Sequence, residues 1–278
     1  MGTVRINTNV VALLAHRNLS RNDEALSGSL ARLSSGLRIN RSADDAAGLA
    51  IAEKMRGQTR GLTQASQNAL DGISLIQTAE GALKETQAIL QRMRTLAVQA
   101  ANDALTDEDR DIIRDELTEL SAEVDRIAKT TQFNTQNLLF GGKISQSGIT
   151  LHIGANYKQE MNVVIDTATA AALGVKIGQL PVDSAYNASV TLSNLDTALA
   201  KVSSTRSRLG AMINRLEHTI LNLQVQNENL KSAESRIRDL DMAQEMAVLT
   251  RAQVLSQAST AMLAQANQAP QSILSLLR

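Results

Sequence analysis

The chain has 278 residues, 28 basic and 28 acidic side chains, no cysteine and 43% hydrophobic residues. Balanced charge removes the bulk field that favours nucleic acid or a membrane surface, and the lack of cysteine excludes disulfide scaffolds, thiolate catalysis and Cys-ligated metals. Phe133, Phe140, Tyr157 and Tyr186 are the whole aromatic complement, too few for base stacking or a ring-lined ligand pocket.

Only Pro181 and Pro270 interrupt the chain, so long helices are permitted, and the length suits two domains or one elongated assembly. The start, Met1 to Asn7, has no charged n-region followed by an apolar h-region, as a cleavable secretory signal requires. No run of 18 apolar residues is present to span a bilayer.

Residues 1–40 read as a short extended lead and then a helix. Leu19, Leu26, Leu30, Leu33 and Leu37 share a face, with Asp23 interrupting it. Gly36 and the Asn40–Asp45 stretch end this helix, and Ser42 or Asp44 is placed to cap the next, Ala46 to Arg56. A second long helix is expected over Gln67–Gln99, with Ile76, Ala79, Leu83, Thr86, Leu90, Met93, Ala97 and Ala100 on a 3-4 seam. Leu75, Ala82, Ile89 and Leu96 flank it, an apolar face wide enough for more than one neighbour. Thr106, followed by Asp107, Glu108 and Asp109, has the form of an N-cap with an acidic first turn. The helix behind it carries Ile113, Leu117, Leu120, Val124 and Ile127.

From Gly141 to about Ala185 the composition turns to Gly, Ser and Thr. Ile149–Ile153 and Met161–Ile165 are candidate strands of a small hairpin. The longest seam follows: Leu192, Leu195, Leu199, Val202, Arg206, Leu209, Ile213, Leu216, Ile220, Leu223, Asn227 and Leu230. Such a helix is about 55–60 Å long. Its partner faces are the two earlier seams, which makes it the spine of an intramolecular bundle, with Arg206 and Asn227 setting register. Between Arg251 and Arg278 no side chain is ionisable. Val248, Ala252, Leu255, Ser259, Met262, Ala266 and Ala269 keep the 3-4 spacing, and Pro270 marks the expected end. A helix without charge is built for burial among helices, yet this one is too polar for lipid.

No catalytic constellation emerges. His16, His152 and His218 are isolated from one another, and Asp107–Asp111 lacks the glycine turn and terminal Glu of a calcium loop. Asp44 and Asp45 are adjacent on a helix and point apart. Gly141–Gly142 matches no phosphate-binding fingerprint, and no G-x-S-x-G occurs. Arg32, Arg38 and Arg41 lack the aromatic interleaving of a nucleic-acid surface and suit interface ion pairs. Asn18-Leu-Ser20 and Asn187-Ala-Ser189 fit the short N-linked acceptor pattern.

Longer motifs are more specific. Leu30 to Ile51 (LARLSSGLRINRSADDAAGLAI) resembles the N-terminal signature of bacterial flagellins, and Gln91 to Asn102 (QRMRTLAVQAAN) the family's second-helix motif. Asp125 to Asn134, Leu151 to Asn156, Ser235 to Asp241 and Met262 to Leu277 resemble its later signatures. The resemblance implies a short, core-only flagellin: a structural, non-enzymatic subunit without cofactors or metals that polymerises into the extracellular flagellar filament for swimming motility. The fold it implies is mainly α, an elongated bundle of coiled-coil-like helices from both chain ends with a small β-hairpin subdomain in the middle.

The implied domains are 1–44 with 235–278 as the filament-core pair, 45–140 with 186–234 as a bundle, and 141–185 as the β-rich part. Filament-core assembly falls to Leu26, Leu30, Leu33, Leu37, Val248, Leu255, Met262, Leu274 and Leu277. Implied partners are further copies of the chain, an export chaperone at the C-terminal segment, the filament cap and hook-junction proteins, and vertebrate Toll-like receptor 5. No nucleic acid or membrane insertion is implied. The family leaves the cell unfolded through the type III export channel, without a cleavable signal. Receptor contact is carried by resemblance onto Gln91, Arg92, Leu96 and Glu116. Asp103 departs from the glycine usual in that turn. Both terminal segments are expected to fold only on polymerisation. A hook–filament junction protein of the same superfamily and an unrelated coiled-coil adaptor are the alternatives.

Overall fold

The structure, a computed structural model, describes residues 8–176 and 180–276. The extended lead expected at the extreme N-terminus falls mainly outside them. The described chain is mainly helical, with two small hairpins in the middle. In order it forms α1 (Val10–Ser35), α2 (Ala46–Ala100), α3 (Asp107–Thr130), β1 (Gln132–Phe133), β2 (Gln136–Asn137), α4 (Lys143–Gln146), β3 (Ile149–His152), β4 (Glu160–Val163), α5 (Ala170–Leu173), α6 (Ala185–Arg238) and α7 (Met242–Leu276). Two compact units result, Met1–Gly57 with Asn229–Arg278, and Gln58–Glu228.

Two helices expected on either side of residues 57–66 are one helix, α2. Gly57 and Gly61 weaken a helix by about 1 kcal/mol each relative to Ala, but both keep their N–H. Leu62, Ala65 and Ala69 are buried through the stretch, and packing outweighs that propensity cost. The cap is Asp45, whose carboxylate accepts from the Gly48 N–H at 2.8 Å. Asp44 instead folds back on the Asn40 and Arg41 N–H groups, and these two bonds hold its carboxyl below the ordinary range.

In the 58–228 unit, the seam residues of α2 from Ile76 to Ala100 are all buried and pack with Ile113, Leu117 and Val124 of α3 and Leu195, Val202, Leu209 and Leu216 of α6. The polar seam residues have cross-helix partners. Arg206 donates to Gln87 at 2.7 Å and Glu80 at 3.3 Å, and Asn227 donates to Thr63 at 3.0 Å. α3 opens with a capping box, in which the Asp109 N–H donates to Thr106 Oγ1 and the Asp109 carboxylate accepts the Thr106 N–H and hydroxyl.

β3 and β4 pair antiparallel from Ile149–Val163 to His152–Glu160. This hairpin seats in two glycine notches of α2: a Cβ on Gly72 would lie 2.3 Å from Leu151, and one on Gly61 would lie 3.0 Å from Ala155. Between them Asn68 donates to the His152 carbonyl at 2.9 Å. The β1–β2 hairpin was not foreseen. Its turn, Asn134-Thr135, has positive φ at both central residues, 48° and 64°, the form that two-residue hairpins prefer. Asn134 tolerates it readily; Thr135, being β-branched, does not announce it.

In the other unit, α1 and α7 pair closely. The expected seam is shifted on both helices. On α1 the inward stripe is Ala12, Ala15, Leu19, Asn22, Leu26, Ser29 and Leu33, and on α7 it is Glu245, Leu249, Ala252, Ser256, Ser259, Leu263 and Ala266. α7 also runs through Pro270 to Leu276 rather than ending there.

The breaks after α1 and α6 are knit together. The Arg38 N–H donates to the Arg238 carbonyl at 2.7 Å, the Leu240 N–H to the Gly36 carbonyl at 3.1 Å, and Arg38 Nη2 to the Ile237 carbonyl at 2.6 Å. Gly36 takes φ 69° here, where glycine has no Cβ penalty.

Candidate assembly and recognition surfaces

The α1–α7 pair mixes small and polar groups with five leucines on its inward stripes and leaves further large apolar side chains outside. Asn22 donates to Ser259 Oγ at 2.9 Å, and Ser256 donates to Asp23 at 2.9 Å. Arg32 Nε lies 3.5 Å from the Glu245 carboxylate, too far for a hydrogen bond. Glu245 is only 7% exposed, and its Oε1 and the hydroxyl of Ser29 lack a hydrogen-bond partner among the described residues. Outward-facing side chains include Val10, Val11 (63% exposed), Leu13 and Leu14 on α1 and Met246, Val254 and Met262 (62%) on α7.

Of the residues assigned to filament-core assembly, Leu26 and Leu33 are half-buried on the α1–α7 seam. Leu37, also half-buried, bridges to Asp239. Leu30, Val248, Leu255 and Met262 are exposed. The Leu274 side chain and all of Leu277 lie outside the described residues.

On the bundle, the positions that match the receptor motif come together on α2 and α3. Gln91 and Arg92 are exposed, and the Arg92 guanidinium donates from Nε and Nη2 to Glu116 Oε1 at 2.9 and 2.7 Å. Leu96 is 3% exposed and belongs to the core beneath them. The following turn does not need glycine at Asp103, which is absent from the positive-φ residues. Asn102 forms it instead, with its side chain accepting from the Ala104 N–H at 3.1 Å.

Arg110 locks that turn, a role the sequence reading missed. Its buried guanidinium donates to the carbonyls of Ala100 at 3.3 Å and Asn102 at 3.1 Å, capping the C-terminal end of α2 from α3. The sequence signal was an Arg inside an otherwise acidic first turn.

His16 and His218 are exposed, and His152 Nδ1 lies 3.9 Å from Glu160. Among the described residues no group of three His, Cys, Asp or Glu side chains is placed to hold a metal, and no helix is long and apolar enough to cross a membrane.

A helical bundle joined to a helix pair with its apolar surface outward defines a self-associating structural subunit. Comparison with known proteins agrees. The family model described as the bacterial flagellin N-terminal helical region matches residues 6–143, and that of the C-terminal helical region matches 192–277. Flagellin of Halalkalibacterium halodurans is 51% identical over 273 residues, covering 98% of this chain and 99% of that protein. The flagellar filament 33 kDa core protein of Treponema phagedenis is 50% identical over 284 residues, with 98% and 99% covered. Among solved structures, Bacillus cereus flagellin aligns at 29% identity and TM-score 0.49 over 60% of this chain and 94% of that one. The chain belongs to the bacterial flagellin family. Its length fits the short, core-only form, and it is a structural subunit of the flagellar filament.

Proposed function

We propose that the chain enters the filament through the α1–α7 pair, which folds fully only when neighbouring copies cover it. One observation carries this reading. Among the described residues the pair fully buries only Ser29, Glu245, Leu249, Ala252 and Ala266 between its helices, its other seam leucines are half-buried, and Val10, Val11, Leu13, Leu14, Val254 and Met262 stand in water. Isolated helices are marginal in water, and a seam whose leucines are mostly half-buried supplies little to hold them. Residues 1–44 and 235–278 then form the filament core, 45–140 with 186–234 the next shell, and 141–185 its β-rich part. Leu26, Leu30, Leu33, Leu37, Val248, Leu255, Met262, Leu274 and Leu277 contribute apolar surface to that core.

The role is structural, without catalysis or cofactor, and the working location is the extracellular flagellum. Export in an unfolded state, with a chaperone on the C-terminal segment, fits ends that do not fold alone. The filament cap and hook-junction proteins are the further partners at its ends. Gln91, Arg92 and Glu116 form the exposed part of a surface for Toll-like receptor 5, with Leu96 supporting it from the core.

The test is seeded polymerisation followed by electron microscopy. A Leu255→Ser, Met262→Ser chain is expected to stop elongating while the melting of the 58–228 unit stays unchanged. Normal elongation of that variant would contradict the reading.

A further inference from the structure

Pro270 lies inside α7 and has no N–H, so the carbonyl four residues earlier, at Ala266, has no donor within its own helix. Ala266 is buried, where an unpaired carbonyl is costly. The Asn9 side-chain amide fills the gap, donating from Nδ2 to the Ala266 carbonyl at 2.7 Å. Its other atom, Oδ1, accepts from the Ala12 N–H at 3.1 Å and caps α1. One side chain therefore starts one helix and repairs the other.

We propose that Asn9 and Pro270 together form a register lock for the terminal helices, with Asn9 as the positioning residue. The inference rests on the reading that these helices pair when the subunit joins the filament. Apart from the Asn22–Ser259 and Ser256–Asp23 bonds, the rest of the seam specifies register poorly. Ala, Ser and Leu recur along both stripes, and a slip of one heptad places similar side chains opposite one another. The carbonyl vacated by Pro270 occurs once. In the one-heptad slip toward Ser259 the Asn9 amide meets a carbonyl already bonded within α7, and the Ala266 carbonyl stays unpaired.

Two substitutions separate the lock from the cap. Asn9→Asp keeps the capping acceptor and removes the donor. Pro270→Ala restores an N–H that satisfies Ala266 from within α7. Register is read by disulfide formation in the full-length chain, which has no cysteine of its own. An Asn22→Cys, Ser259→Cys pair reports the observed register, and an Asn22→Cys, Ala252→Cys pair reports a one-heptad slip.

Asn9→Asp is expected to lower the ratio of in-register to slipped crosslink about fivefold, the factor one net hydrogen bond supplies. Pro270→Ala should lower it equally, and adding Asn9→Asp to Pro270→Ala should change nothing more. An unchanged ratio in Asn9→Asp, or the same further fall in both backgrounds, would overturn the lock. The ratio is read in soluble and polymerised chain alike. Failure of the otherwise unaltered reporter chains to polymerise would instead count against the filament reading.

Discussion

Between α2, α3 and α6 the buried positions are Ala together with many Leu, Ile, Val and Met. Arg206 and Asn227 each have a cross-helix partner, although Arg206 Nε and Asn227 Oδ1 lack one among the described residues. Between α1 and α7 five leucines share the inward stripes with Ala, Ser, Asn22 and Glu245, and of those leucines only Leu249 is buried. A fully buried Leu contributes about 1.5–3 kcal/mol of apolar transfer. Leu195, Leu209 and Leu216 are each 0% exposed, whereas Leu19, Leu26 and Leu33 retain part of their exposure. The same 3-4 spacing therefore builds two different objects. In the 58–228 unit it closes a core within one chain. In the terminal unit it makes a close pair with few fully buried side chains and several large apolar ones exposed, the basis of the proposal that neighbouring copies complete it.

The largest effect should come from Leu216→Asp, which places an unpaired charge in the bundle core at a cost above about 4 kcal/mol. Loss of cooperative thermal unfolding by circular dichroism is the expected result. A variant that melts normally and fails only to polymerise would mean that α6 is not the spine of the bundle. Arg110→Ala leaves the Ala100 and Asn102 carbonyls without their side-chain donor and should cost about 2–3 kcal/mol in urea unfolding.

In the terminal pair the comparison predicts the opposite sign. Glu245→Leu removes a buried carboxylate whose Oε1 makes no hydrogen bond. It should stabilise the pair by about 1 kcal/mol, seen as slower hydrogen exchange in α7. Faster exchange would show that the Arg32 contact outweighs burial.

Thr106→Ala should cost the bundle about 1 kcal/mol through the lost cap. The Thr106 hydroxyl, and then its backbone N–H, hold the Asp109 carboxyl below its ordinary value. That contribution is complete above about pH 3.9 and is lost as pH falls through the lower folded value. Amide protection factors at the start of α3, corrected for intrinsic exchange at each pH, should therefore fall on acidification before the bundle melts, and this fraying should vanish as a pH effect in Asp109→Asn.

Much of the bundle was legible in the sequence because large apolar residues at helical spacing have one use, burial. Every residue named on the Ile76–Ala100 seam is buried, Arg206 pairs with Gln87 beside it, and Asn227 pairs with Thr63 further back on α2. The terminal seam was misplaced for the same reason. Leu30, Val248, Leu255 and Met262, assigned to filament-core assembly, are exposed, because the two helices meet on neighbouring stripes of small residues and mostly half-buried leucines. Two breaks were misread from composition. The 57–66 stretch does not interrupt α2, and Pro270 does not end α7, because a packed face holds the first and Asn9 compensates the second. The Asn134-Thr135 turn and the Arg110 cap depend on backbone angles and distant carbonyls that no periodicity encodes.

Hydrogen exchange read by mass spectrometry on dilute monomer and on assembled filament tests the contrast between the units most directly. Amides of α2, α3 and α6 within 58–228 should be protected in both states. Those of α1 and α7 should exchange rapidly in the monomer and become protected in the filament. Strong protection of α1 and α7 in dilute monomer would contradict the account.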